Sequence, residues 1–239
     1  THPSKRARLA LPEPRLQASM DAQITHLMMS LVDDETRPGD PTFYYRAWHR
    51  QGSYITAALA RAGDPHVSRV LSQFLASHDF AGGSGPEADA PGLAIWALVE
   101  SAAYIADPVH DQWLWPHILR KAQRIEGMLT ARAPLVEPYW IPSPHDFNHS
   151  RQTRTALLAQ PARDGLIVGR VGEDWPLLYV NAVSYRGLLA AADFAERLGK
   201  RQQAARWRQH AHGLEESWQR QFPNGSPDSV TSLVSVRAW

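Results

Sequence analysis

Two acidic pairs stand out as groups able to move protons, Glu87 with Asp89 and Glu173 with Asp174. Glycoside hydrolysis needs such pairs: one carboxyl protonates the leaving oxygen, and the other activates water or attacks carbon. Both pairs keep aromatic company, with Trp96 behind the first and Trp175 beside the second. Flat aromatic faces stack on the apolar faces of sugar rings, and Trp and Tyr add a polar handle. Asp164 is a further acid on a long loop. Each pair also has a purely local reading. Asp89 stands just before Pro91, where it would cap a helix, and Glu173-Asp174 would be a solvated turn or a cap.

Other chemistries find less support. The histidines are scattered, and the tightest pair, His145 and His149, lies in a proline-rich stretch without a third ligand, so neither a metal nor a cofactor is expected. Gly82-Gly83-Ser84-Gly85 lacks the Lys-Ser/Thr ending of a phosphate loop. No Gly-x-Ser-x-Gly elbow occurs, and cysteine is absent, which removes thiolate and disulfide chemistry. With 25 basic and 24 acidic residues the chain has no electrostatic footprint for nucleic acid. No apolar run approaches a membrane span and no signal-peptide pattern opens the chain, so no membrane partner and a cytoplasmic location are expected.

The elements that must position these residues are helices. Apolar residues at helical spacing predict helices over 15–32, 53–62, 66–77, 92–105, 109–130, 181–198 and 202–222. The stretch at 93–99 is too apolar for a solvated surface. Gly63-Asp64-Pro65 and Ala106-Asp107-Pro108 repeat one turn between two helices, and Leu198-Gly199-Lys200 supplies a later version. This is the pattern of an αα-hairpin array, whose units must stack or close into a ring to bury their faces. Between 131 and 178 the helical period fails among many prolines, and 164–169 reads as a short strand or turn. The expected layout is a terminal segment over 1–14, one hairpin domain over 15–222 and an irregular tail over 223–239.

Four segments, taken in order, resemble the glucoamylase-type six-hairpin glycosidases. They are Tyr44-Tyr45-Arg46-Ala47-Trp48-His49-Arg50-Gln51-Gly52-Ser53-Tyr54; Glu87-Ala88-Asp89-Ala90-Pro91-Gly92-Leu93-Ala94-Ile95-Trp96; Asp111-Gln112-Trp113-Leu114-Trp115-Pro116; and Gly172-Glu173-Asp174-Trp175 with Tyr179-Val180-Asn181-Ala182-Val183-Ser184-Tyr185-Arg186-Gly187-Leu188. The resemblance implies an all-α fold, an αα-hairpin toroid of the (α/α)6-barrel type. It implies a carbohydrate partner, an α-linked glycan or small glycoside. Trp48, Arg50 and Asp89 would hold the first sugar, with Gln51 and Glu87 beside them. Glu173, or Asp174 in a register one residue on, would donate the proton, and Trp140 and Trp175 would be stacking platforms.

Two departures qualify the expectation of hydrolysis. The family's Arg-Asp pair is Arg50-Gln51 here, and a neutral amide accepts a hydroxyl proton more weakly than a carboxylate. The toroid is also incomplete in this chain: about seven helical patterns are present where twelve close the ring, and the family's general base lies in the last hairpins. Three readings stay open: a piece of a larger barrel, a barrel completed otherwise, or a sugar-binding relative that has lost hydrolysis. An open half-barrel would expose an apolar face at 181–198, which predicts a homodimer.

Overall fold

The computed structural model describes residues 10–32, 35–37, 47–80, 85–139, 154–171, 173–174 and 177–221. Trp140, Trp175, the His145–His149 stretch, residues 82–84 of the glycine loop and the tail 223–239 lie outside the described residues, as do 1–9 of the terminal segment.

The described residues are mostly helical. Seven helices appear: α1 (Pro14–Met29), α2 (His49–Arg61), α3 (Pro65–Ser77), α4 (Ala90–Ile105), α5 (Pro108–Leu129), α6 (Leu178–Arg197) and α7 (Arg201–Gln221). The Asp-Pro turns explain the hairpins. Asp64 accepts from the backbone N–H groups of His66 and Val67 and so caps α3, while Asp107 caps α5 through Val109, each with proline in the first turn. The chain reverses on a left-handed residue each time, at Gly63 (φ 80°), Ala106 (φ 50°) and Gly199 (φ 74°). Helices α2, α4 and α6 therefore run in one direction and pack side by side, with α3, α5 and α7 against them. No residue of α1 is buried, although its apolar spacing marked it as a helix.

The core sits between the two rows. In α4 the residues Leu93, Ala94, Ile95, Ala97 and Leu98 are buried on every side of the helix, as its composition requires. Lys121 and Trp207 are among the largest fully buried side chains. Among the described residues no helix is long and apolar enough to cross a membrane.

The described residues after 131 carry strands, so small sheets accompany the mostly helical fold. Strands β3 (Leu135–Tyr139), β4 (Arg154–Arg163), β5 (Leu166–Val171) and β6 (Glu173–Asp174) form an antiparallel sheet in that order, beside a small β1–β2 ribbon (Leu31–Val32, Glu35–Thr36). The prolines within the strands sit where a sheet tolerates them. Pro138 lies in the edge strand β3, and Pro161 falls in the break of register between Gln160 and Arg163. The β4–β5 turn is Asp164-Gly165, both left-handed at φ 53° and 79°.

One expectation about α6 is corrected, that it would leave an apolar face open. Its exposed residues are Arg186, Asp193, Glu196 and Arg197, while Leu188, Ala190, Ala191, Ala192, Phe194 and Ala195 are buried. Helices α4 and α7 cover the apolar face that was to drive dimerisation.

Candidate functional site

Because α2, α4 and α6 run the same way, their N-terminal ends lie at one end of the molecule. That end favours carboxylates, since the helix dipoles put partial positive charge there. The first turn of α2 supplies Arg50, with Trp48 just before it. The turn leading into α4 supplies Glu87 and Asp89, and the first turn of α6 supplies Tyr179.

These side chains meet. Arg50 Nε donates to Asp89 Oδ2 at 2.7 Å, and its Nη2 donates to Glu87 Oε2 at 3.1 Å. The Trp48 indole N–H donates to that same Glu87 oxygen at 2.9 Å. The Arg50 guanidinium carbon also lies 5.9 Å from the ring centres of both Trp48 and Tyr179. Asp89 is 2% exposed at its side chain, Glu87 10% and Arg50 23%, so the charges attract one another in a poorly solvated place. Asp89 occupies the N-cap position of α4 but makes no capping bond. The local reading of Asp89 as a cap is thereby corrected: an arginine brought in from α2 takes the carboxylate instead.

The turn at 86–88 is fixed from the sheet side. Ala88 N–H donates to the Arg170 carbonyl at 2.8 Å, and Arg170 Nη1 donates to the Pro86 carbonyl at 3.2 Å. Gly169 permits the approach, because a Cβ there would run into the Ala88 methyl. Asn181 holds the sheet to α6: its Oδ1 accepts from Ile167 N–H at 2.9 Å, and its Nδ2 donates to the carbonyls of Ile167 and Leu177. In β6, Asp174 pairs with Arg170 and Glu173 with Val171, so the backbone carries the second acidic pair to the strand that touches the first. The side chains of Glu173 and Asp174 lie outside what is described.

The ionisation of the group follows from burial and pairing. Burial works against charge on Arg50, but the bond to Asp89 and the Glu87 carboxylate outweigh it and hold its pKa above the ordinary value. Glu87 goes the other way from most paired carboxylates. Burial first, then the Asp89 charge, raise its pKa, and Arg50 offsets them only in part. Tyr179 is pushed up by burial and then by Asp89, so its phenol stays protonated. Gln51 Oε1 is buried without a hydrogen-bond partner among the described residues, and the buried Tyr179 hydroxyl has only the Arg50 guanidinium beside it.

A carboxyl whose pKa is higher folded than unfolded takes up protons on folding. Ionised Glu87 therefore lowers stability at neutral pH, an effect that disappears as pH falls through its folded pKa. Glu87→Gln stays neutral and keeps an acceptor for the indole of Trp48. It is expected to melt no lower than wild type at pH 7, with the difference shrinking on acidification. Thermal melts at pH 7 and pH 4 test this, and a midpoint several degrees lower at pH 7 would show that the Arg50 pair outweighs burial.

The structure thus brings Trp48, Arg50, Glu87 and Asp89 together, with Gln51 next to Arg50 on α2. Tyr179 and Arg170 were not among the expected site residues. The signal for Tyr179 was its place in the fourth of the resembling segments, just before the helix expected from 181. Elsewhere, an open groove of about 830 Å³ runs along α7 past His210, His212 and Arg208. Its Arg208 is already paired with Asp193 and Glu196, as on an ordinary solvated face. No family model matches this sequence, and no curated protein matches it.

Proposed function

We propose that this protein is a glycoside hydrolase-like protein. It holds a sugar of an α-linked glycan or small glycoside at the shared end of α2, α4 and α6, on an αα-hairpin scaffold of the six-hairpin type. The observation that carries the reading is Arg50 fixed between two buried carboxylates, with the Trp48 indole on one of them and the buried Tyr179 phenol alongside the guanidinium. Buried charged groups are expensive to maintain unless paired, and paired acids with aromatic walls suit a ligand rich in hydroxyl groups. Asp89 and Glu87 would accept hydroxyl protons and Tyr179 would donate one, with the Trp48 face as the apolar wall.

Hydrolysis adds Glu173, or Asp174, as proton donor. The donor's proton goes to the glycosidic oxygen as the bond from that oxygen to the sugar carbon breaks. A second carboxylate, about 6.5–9.5 Å away across the sugar in an inverting enzyme, takes a proton from the attacking water. The pairing of β6 with β5, and the contact of Arg170 with the 86–88 turn, support a placement of Glu173 near the sugar.

One observation favours a second reading, a sugar-binding protein without hydrolysis. Gln51 stands where the resemblance puts an aspartate, and its buried oxygen has no partner. Glu173→Gln separates the two readings on a panel of α-linked disaccharides and nitrophenyl glycosides. Loss of the general acid is expected to lower kcat by about 10²–10⁴-fold while leaving sugar affinity intact. Wild type that binds sugars, seen as a change in Trp fluorescence, yet releases no reducing sugar would select the second reading. No response to any member of the panel would overturn both.

A further inference from the structure

We propose that Lys121 is a positioning residue for this site, acting through the His78 carbonyl and the His49 ring on the two residues that flank His49, Trp48 and Arg50. The proposal rests on the reading of that end as the ligand site.

Lys121 lies in the middle of α5 with its side chain wholly buried. Its ammonium donates to Asp79 Oδ1 at 2.8 Å and to the His78 carbonyl at 2.5 Å. The same carbonyl is met by His49 Nε2 at 3.0 Å. A carbonyl only accepts, so Nε2 carries the proton, and His49 is the neutral tautomer that donates there. Burial first, then the Lys121 charge, lower the His49 pKa to about 3, so the ring stays neutral throughout the working range.

One oxygen thus joins the α5 cation to the N-terminal end of α2. Arg120 completes the anchor: it donates to both Asp79 oxygens and to the Ala76 carbonyl, so side chains from α5 satisfy the free carbonyls at the end of α3. Lys121 therefore bears on the ion-paired set from the α2 side, through the His78 carbonyl and His49.

The groups that face Lys121 are His49 from α2, His78 and Asp79 after α3, and Arg120, Arg124 and His117 from its own helix. Glu137 of β3 is bound to Arg124. Burial first, with Arg120 and Arg124 adding to it, lowers the Lys121 pKa to about 8 against the pull of Asp79. Above that pH the amine is neutral and its bonds to Asp79 and the His78 carbonyl lose their charge assistance. The Trp48–Glu87 bond should then respond to the ionisation of a lysine that touches neither residue.

The test is a pH titration of the indole N–H signals in ¹H–¹⁵N spectra of the ligand-free protein, with the Trp48 signal assigned by its loss in Trp48→Phe. In wild type the signal is expected to shift with a midpoint near pH 8. In Lys121→Met it is expected to stay flat, and in Asp79→Asn the midpoint should fall by about one unit, because the carboxylate that supports the ammonium is gone. A wild-type signal that does not move between pH 6.5 and 9.5 overturns the proposal, as does an unchanged titration in Lys121→Met. If Lys121→Met fails to fold, an Asp79→Asn midpoint equal to that of wild type overturns it. Adding maltose or methyl α-glucoside at pH 7 is a separate arm. No shift of the Trp48 signal by either sugar counts against the sugar site, while the pH titration still decides the role of Lys121.

Discussion

Arg50→Ala is expected to lower stability at pH 7 by about 3–5 kcal/mol, the range for removing one partner of a buried charge pair. The magnitude follows from what remains. Glu87 and Asp89 are nearly inaccessible, and they stand close enough that the charge on Asp89 raises the Glu87 pKa even with Arg50 present. Without the guanidinium two like charges would share a poorly solvated turn, with Arg170 a remaining cation that acts on Glu87. One carboxyl would then take up a proton well above the ordinary carboxylate range. The deficit should therefore shrink as pH is lowered, and this separates it from a simple loss of packing. Arg50→Lys should recover only part of the loss, because an ammonium cannot present two N–H groups in a fixed fork to two acids. Urea unfolding of the three proteins at pH 7 and pH 5 measures each step. A loss for Arg50→Ala below about 1 kcal/mol would place this pair with exposed surface ion pairs instead.

The same residues show how far the sequence could be read. Helical periodicity located the seven helices seen among the described residues, because Asp64-Pro65 and Asp107-Pro108 carry their own stop and start chemistry and need no tertiary context. The sheet was hidden for the opposite reason. Pro138 and Pro161 are breakers by local rules and become acceptable only when one strand lies at an edge and another changes register. Asp164-Gly165 was a legible hairpin signal, the one piece of the sheet that local conformation specifies. Asp89 is the clearest case of a local rule being overridden. Aspartate before Ala90-Pro91 reads as a cap, and only the arrival of Arg50 from α2 gives the carboxylate a stronger partner.

That arrival is a consequence of topology, which is why spacing alone could not pair Arg50 with Glu87 and Asp89. The resemblance supplied the grouping instead. Lys121 was missed because a helical lysine reads as a solvent-facing residue, and its partners at 78–79 are distant in sequence. The dimer expectation rested on an apolar face of α6 that the sequence displays correctly. It did not foresee that α4 and α7 cover that face.

The closeness of α4 to α6 leads to the second large effect, a loss of about 3 kcal/mol in Gly92→Ala. An added Cβ at Gly92 would sit 2.5 Å from the Val183 carbonyl oxygen and 2.8 Å from its carbon, both backbone atoms. The reciprocal position is as tight: a Cβ at Gly187 would lie 2.6 Å from the Gly92 Cα. Backbone cannot rotate aside as a side chain can, so one helix must move away from the other. Alanine gains about 1 kcal/mol over glycine in a helix interior, which sets a lower bound on the strain needed to make the change harmful. Gly127 in α5 is the control, since a Cβ there meets nothing within 4 Å and Gly127→Ala should be neutral or stabilising. Gly92→Ala and Gly187→Ala act on one contact, so the double variant should lose less than the sum of the two. Because Asp89 lies one turn before Gly92 and Tyr179 lies at the start of α6, opening the contact should also part these two site residues. Denaturant unfolding of the four variants, with sugar-induced Trp fluorescence as the second readout, tests both consequences. Gly92→Ala as stable as Gly127→Ala would mean that the two helices can separate freely and that their close approach does not position the site.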